Sequence, residues 1–181
     1  MGSKLVSVGE VAAINSGQYS KSECWDRIQY LDTGSITRGM ISSLQQLDPR
    51  LDKVPSRARR KVRDKSILLS MVRPNQEHYG ILDNPPKDML ASTGFSVIDA
   101  DEKLVDPSYL YYALTTKEAT AKLQALAEQS ASTYPTLSGA DLASFEIPLL
   151  AFDLQRKIGG ILSCFDRKID INSRLNGYLA A

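Results

Sequence analysis

From Asp153 onward the apolar positions fall on one stripe. Leu154, Ile158, Ile161, Phe165, Lys168, Asn172, Leu175 and Leu179 follow a 4-3-4-3-4-3-4 spacing with no proline, which predicts a helix of nearly four heptads. Lys168 and Asn172 are its polar members, and Leu162 and Ile169 lie beside the stripe and widen it enough for more than one packing partner. Two readings fit this pattern, a surface helix packed on its own domain and a projecting helix that pairs with another. Its length and terminal position favour the second. Gly159-Gly160 lowers intrinsic helicity by about 1 kcal/mol per glycine, so the helix needs a partner, and the same pair admits a close backbone neighbour.

Ahead of Ile147-Pro148 the pattern is mixed and strand-rich. Val8 to Ile14 reads as a short helix followed by a turn, Asn15 to Lys21. Short β-compatible runs follow at Ile28–Leu31, Ser66–Val72, Tyr79–Leu82 and Phe95–Ile98, separated by Gly, Pro, Asn and Asp clusters. Asp106-Pro107 opens a helix whose apolar face carries Leu110, Ala113 and Leu114, and Ala119 to Glu128 forms another. The predicted class is α+β: a strand-rich domain over residues 1–150, then a coiled-coil-forming helix over 151–181.

Composition narrows the function classes. The chain has 181 residues, 22 basic against 21 acidic side chains and a single histidine, His78. With two cysteines 140 residues apart and no CxxC pair, neither a zinc site nor a disulfide framework is expected. No apolar run is long enough to span a bilayer and no signal h-region is present, so a cytoplasmic location is expected. A Walker loop, a GxSxG elbow and a Ser/His/Asp set are all missing, so no catalytic residue is predicted. Asp99, Asp101 and Glu102 read as a solvated turn.

The net charge of +1 conceals an asymmetry. Between Asp48 and Lys65 there are eight basic residues against three acidic ones, +5 in 18 residues, and the remainder carries −4. Such a segment fits either a phosphate-backbone contact or a solvated basic loop. Downstream, Arg73, Asn75, Gln76, His78 and Tyr79 follow a strand within one proline-containing turn. Arg suits guanine O6 and N7, and Asn or Gln suits adenine N6 and N7; a polar hairpin turn is the plain alternative. Asn84-Pro85-Pro86 imitates the Asn/Asp-Pro-Pro-aromatic tetrad of amino-methyltransferases, but Lys87 stands where the aromatic belongs and no glycine-rich cofactor loop is present.

Several ordered marks make the chain similar to a known family. They are Val8-Gly9-Glu10-Val11, Val54 to Arg59, Ile67-Leu68-Leu69-Ser70 leading to Val72-Arg73-Pro74-Asn75, Ala91 to Phe95 and Pro107 to Tyr112. Ser132-Thr133-Tyr134, Leu137-Ser138, Ile147-Pro148-Leu149, Gln155 to Ile158 and the stretch from Ile161 follow. In that order the chain resembles one half of the specificity subunit of type I restriction-modification systems, a target recognition domain plus one conserved helical region.

The resemblance implies a non-catalytic reader of double-stranded DNA without a cofactor of its own. Full-length members carry two recognition domains and two antiparallel helical regions, and each domain reads half of a split site. Their methylation subunits use S-adenosylmethionine on adenine, and a restriction motor subunit uses ATP and Mg. With one copy of each module, this chain is expected to be a homodimerising half-subunit or a piece of a longer protein. The expected DNA contacts are the loop Gln18, Tyr19, Ser20 and Lys21; the phosphate-holding Arg57, Arg59, Arg60 and Arg63; the turn Arg73, Asn75, Gln76, His78 and Tyr79; and Ser132, Thr133 and Tyr134. Dimerisation is assigned to Leu154, Ile158, Ile161, Phe165, Ile169, Leu175 and Leu179. About 27 helical residues span roughly 40 Å, against about 34 Å for one DNA turn, so an antiparallel pair would serve as a ruler between two readers. The rivals are a small adenine methyltransferase and a coiled-coil interaction module without DNA.

Overall fold

The computed structural model describes residues 4–130 and 133–179, with the side chains of residues 21, 178 and 179 outside the described set. In chain order the elements are β1 (Lys4–Ser7), α1 (Val8–Val11), β2 (Ala12–Ile14), β3 (Ile28–Leu31), β4 (Ile36–Thr37), β5 (Met40–Ile41), β6 (Gln45–Leu47) and β7 (Ala58–Lys61). They continue with β8 (Ile67–Ser70), β9 (Tyr79–Ile81), β10 (Met89–Ser92), β11 (Phe95–Ala100), α2 (Pro107–Thr115), α3 (Lys117–Glu128), α4 (Gly139–Ser144), β12 (Glu146–Leu149) and α5 (Phe152–Leu179). The class is α+β and strand-rich, ending in a long helix.

Two four-stranded sheets carry the fold, ordered β6-β3-β10-β7 and β2-β11-β8-β9. Among the described residues only β3 and β10 run parallel; the other pairs in these sheets are antiparallel. Period-two alternation sorts each strand's side chains between layers. On β8, Leu68 joins Leu31, Met89, Ala91, Phe95 and Val97 in one core, while Ile67 and Leu69 face another core with Leu110, Leu114, Leu123 and Leu142 from the helices. A third cluster of Tyr19, Ile28, Tyr30, Ala58 and Leu90 covers the far face of the first sheet. Each fully buried leucine contributes about 1.5–3 kcal/mol.

The helix starts follow local chemistry. Asp106 accepts from the Tyr109 N–H at 2.9 Å with Pro107 at the first position, and Thr116 accepts from Ala119 N–H at 3.0 Å to open α3. Two sequence expectations are corrected. Of Val8–Ile14 only Val8–Val11 is helical, because Ala12–Ile14 extends to fill the edge of β11. Asp99 is no solvated turn residue: it lies buried on β11, accepting from Ser16 Oγ at 2.8 Å and Ser66 Oγ at 2.6 Å and pairing with Arg63 Nε at 3.2 Å.

α5 begins by docking on α2. The buried Gln155 side chain accepts from the Asp106 N–H at 2.9 Å and donates to the Leu150 carbonyl at 2.8 Å, and the Tyr112 hydroxyl donates to Asp166 at 2.7 Å. Burial, followed by that hydrogen bond, pushes the Tyr112 hydroxyl up to about 12. Between these anchors Gly159 meets the start of α2, where a Cβ would stand 2.7 Å from Asp106 Oδ1 and 2.9 Å from the Tyr109 nitrogen. Gly160 has open space. Gly159→Ala is therefore expected to destabilise the fold by about 1–3 kcal/mol through overpacking. Gly160→Ala is expected to stabilise it by about 0.4–1 kcal/mol. Urea unfolding of the two variants checks the opposite signs.

Candidate nucleic-acid interface

The basic segment divides into neutralised and uncompensated halves. Arg50 pairs with Asp48 at 3.0 Å, Arg63 with Asp99 at 3.2 Å, Lys61 with Glu23 and Lys65 with Asp83. Those lysines, through hydrogen bonding, hold the Glu23 and Asp83 carboxyls below their ordinary range. Among the described residues, Arg57, Arg59 and Arg60 form no ion pair. All three stand at or just before β7, the outer strand that pairs with β10 around an irregularity at Ala91/Ser92. Arg59 instead donates to the Ser56 and Tyr19 carbonyls, both at 3.4 Å. The Arg60 Nε is buried with no hydrogen-bond partner among the described residues, and burial pulls its guanidinium below the ordinary arginine value.

Two cavities open beside these arginines. One, of about 280 Å³, is lined by Arg57 and Arg60 together with Asn15, Thr93, Ser96 and Thr136. The other, of about 440 Å³, gathers Arg73, Gln76, His78 and Tyr134 with Asp32, Thr33 and Gly34. Val72 lines both, so they form one continuous surface. Gly94 makes the junction possible: a Cβ there would overlap Arg57 Nη2 and stand 2.7 Å from Thr33 Cγ2.

The turn after β8 is held rigidly. Arg73 and Glu77 flank the 3₁₀ turn Pro74–Gln76 with φ of 49° and 57°, a left-handed conformation that costs a non-glycine residue about 1–2 kcal/mol. Fixing it, the Arg73 N–H donates to the Pro135 carbonyl at 2.9 Å and Glu77 pairs with Arg38. The Arg73 guanidinium lies over the Tyr134 ring, 4.7 Å from its centroid. His78 Nδ1 donates to the Ile36 carbonyl at 2.7 Å, which fixes the ring while it lines the larger cavity.

The remaining expected contacts are distributed unevenly. Gln18 is exposed and bridges to Arg60, which brings two separately predicted segments together. Tyr19 and Tyr79 are buried, Tyr19 against Trp25 and Tyr79 against Tyr111, so their rings support the surface instead of presenting themselves on it. Ser20 caps the 3₁₀ turn Lys21–Glu23, and the Lys21 side chain lies outside the described residues. Arg63 is committed to Asp99. Asn75 and Thr133 are exposed but line neither cavity, and Ser132 lies outside the described residues. Asn84-Pro85-Pro86 lines neither cavity; the Asn84 N–H donates to Asp64 at 2.8 Å. Asp32, Thr33, Asn15, Thr93, Ser96 and Thr136 escaped the sequence reading because they reach the surface from separate segments and form no local motif.

The seam of α5 points elsewhere. Gln155, Gly159 and Asp166 turn toward α2, whereas Leu154, Ile161, Phe165, Ile169 and Leu175 are 46%, 58%, 58%, 57% and 53% exposed. Ile158 sits between the two stripes and is partly buried against the domain's own core. The Leu179 side chain lies outside the described residues.

Residues 2–179 match the family model of the type I restriction modification DNA specificity domain. The chain belongs to this family. It is 25% identical to the HindI specificity subunit of Haemophilus influenzae over 97% of its length and 38% of that protein's. It is likewise 25% identical to the MjaIX specificity subunit of Methanocaldococcus jannaschii, covering 97% of this chain and 40% of that one. The specificity fold also superimposes on the HsdS subunit of Thermoanaerobacter tengcongensis with a TM-score of 0.79 at 22% identity, covering 96% of this chain and 44% of that one. A structure of a type I restriction-modification system matches with the same TM-score at 24% identity, and the S subunit from M. genitalium with 0.61 at 19%. This specificity domain thus spans well under half the length of the relatives it matches. Among the described residues no helix is long and apolar enough to cross a membrane.

Proposed function

We propose that this chain is a non-catalytic, cytoplasmic DNA-reading specificity module, residues 1–150 forming the reader and 151–181 a spacer helix. Two copies pair through α5 and read a split, inverted site, and the assembly recruits the methylation and restriction subunits. The observation that carries the reading is the continuous surface on which Arg57 and Arg60 stand, without carboxylate partners among the described residues, beside Arg73, Gln76 and His78. Arginines left without partners suit phosphates, and Arg73 and Gln76 on a fixed turn suit base edges. The 28 residues of α5 give about 42 Å at 1.5 Å per residue, long enough to hold two readers about one DNA turn apart.

Methylation mapping of DNA from a host carrying the complete system tests the whole reading. The expected outcome is one bipartite motif with identical inverted half-sites and an unread spacer. Two unlike half-sites would overturn homodimerisation while leaving DNA reading standing, and no motif dependent on this chain would overturn both.

A further inference from the structure

One carboxylate on the candidate interface is held through one oxygen and leaves the other to the cavity. Asp32 occupies the position before the 3₁₀ turn Thr33–Ser35, where an aspartate ordinarily caps the turn, yet its side chain makes no capping bond. It lines the larger cavity together with Arg73, Gln76 and His78. Oδ1 accepts from the Tyr30 hydroxyl at 2.9 Å, and among the described residues Oδ2 has no hydrogen-bond partner. Neither Arg57 nor Arg73 forms an ion pair with it among those residues, although both line the same continuous surface.

A carboxylate on a surface that meets DNA is repelled by every phosphate near it. It is tolerated only where it faces a donor, and the donors a duplex presents in its major groove are the exocyclic amino groups of cytosine N4 and adenine N6. Resting on the DNA-reading proposal above, the geometry points to Asp32 as a specificity-determining residue that accepts a hydrogen bond from such an amino group. Tyr30 acts as its positioning residue. Its ring is buried, and burial together with the nearby Asp32 charge keeps the hydroxyl protonated, so it donates steadily to Oδ1 and leaves Oδ2 for the base. The turn is short and begins directly after β3, a strand inside its sheet, so the carboxylate is presented from a rigid element.

The test uses the full chain assembled with the methylation subunits of its own system. Duplexes with randomised positions are selected, and binding to the preferred and to unrelated duplexes is then titrated. Wild-type protein is expected to select cytosine or adenine at one position of each half-site, and the selected base tells which amino group is read. Asp32→Ala, which removes the acceptor, is expected to lose discrimination at that position by roughly 10- to 100-fold, while its affinity for unrelated duplexes stays level or rises because a repelling charge is gone. Tyr30→Phe, which keeps the buried ring, is expected to lose part of the same discrimination. An Asp32→Ala protein that selects the unchanged motif overturns the assignment. So does a parallel loss of specific and unrelated binding, which marks a structural role. If the wild-type assembly selects no sequence at all, the DNA-reading proposal fails and this one with it.

Discussion

On the proposed pairing through α5, replacing Ile161 and Phe165 with glutamate is expected to convert a dimer into a monomer while leaving the rest of the chain folded. Both side chains are 58% exposed and belong to no core cluster, so the domain's own packing does not need them. In a two-fold pair four such side chains leave the interface. At about 1.5–3 kcal/mol for each one fully buried, the pair loses several kcal/mol before the cost of four added charges is counted. The dissociation constant should rise by more than about 10³-fold, since each 1.4 kcal/mol is a factor of ten. Arg156→Glu, on the opposite side of the helix, is the control and should leave the mass unchanged. Sedimentation together with circular dichroism reads both quantities. A wild-type chain that is already monomeric would refute self-pairing through this seam.

Combining Arg57→Gln with Arg60→Met should weaken DNA binding without changing the sequence read. Each phosphate contact lowers the logarithmic salt slope by about 0.9, so two lost contacts per reader remove nearly 2 from it. At physiological salt a symmetric pair losing four contacts should bind on the order of 10²- to 10³-fold more weakly. Thermal stability should hold or rise, because the Arg60 Nε is a buried donor without a partner among the described residues. Lys65→Gln is the informative contrast: its charge is already held by Asp83, and its effect on the slope should be small. Equal effects from the paired lysine and the unpaired arginines would mean that total charge alone governs binding.

Legibility varied with the range of the interaction that decides each feature. The strand Ile28–Leu31 and all of Ile67–Ser70, which lies inside the expected run Ser66–Val72, are readable because a run of β-formers bounded by turn residues is a local signal. The same holds for the starts of α2 and α5. β7 was hidden inside a basic stretch, since Ala58-Arg59-Arg60-Lys61 becomes a strand only by pairing with β10, whose own run Met89–Ser92 is short and follows prolines. Ala12–Ile14 reads as helix in the sequence because a strand of three residues depends on the β11 edge 84 to 88 residues away. Of the residues that line the two cavities, Arg57, Arg60, Arg73, Gln76, His78 and Tyr134 are singled out by residue type in the sequence, whereas Asp32 is not, since one aspartate before a turn looks like a cap.

The amino-acid sequence by itself determined the family, the amphipathic stripe of the last helix and the +5 concentrated between Asp48 and Lys65. Those depend on order and spacing along the chain, which need no partner. Only the tertiary structure decided which of those charges remain available. Arg63 is spent on Asp99, Lys61 on Glu23 and Lys65 on Asp83, while Arg57 and Arg60 open onto a cavity. Gly159 against α2 and the seam left exposed beside it were settled in the same way, by contacts made only after folding. A charge belongs to its residue, but its neutralisation belongs to whichever strand folding brings within about 4 Å, where the Coulomb term outweighs screening.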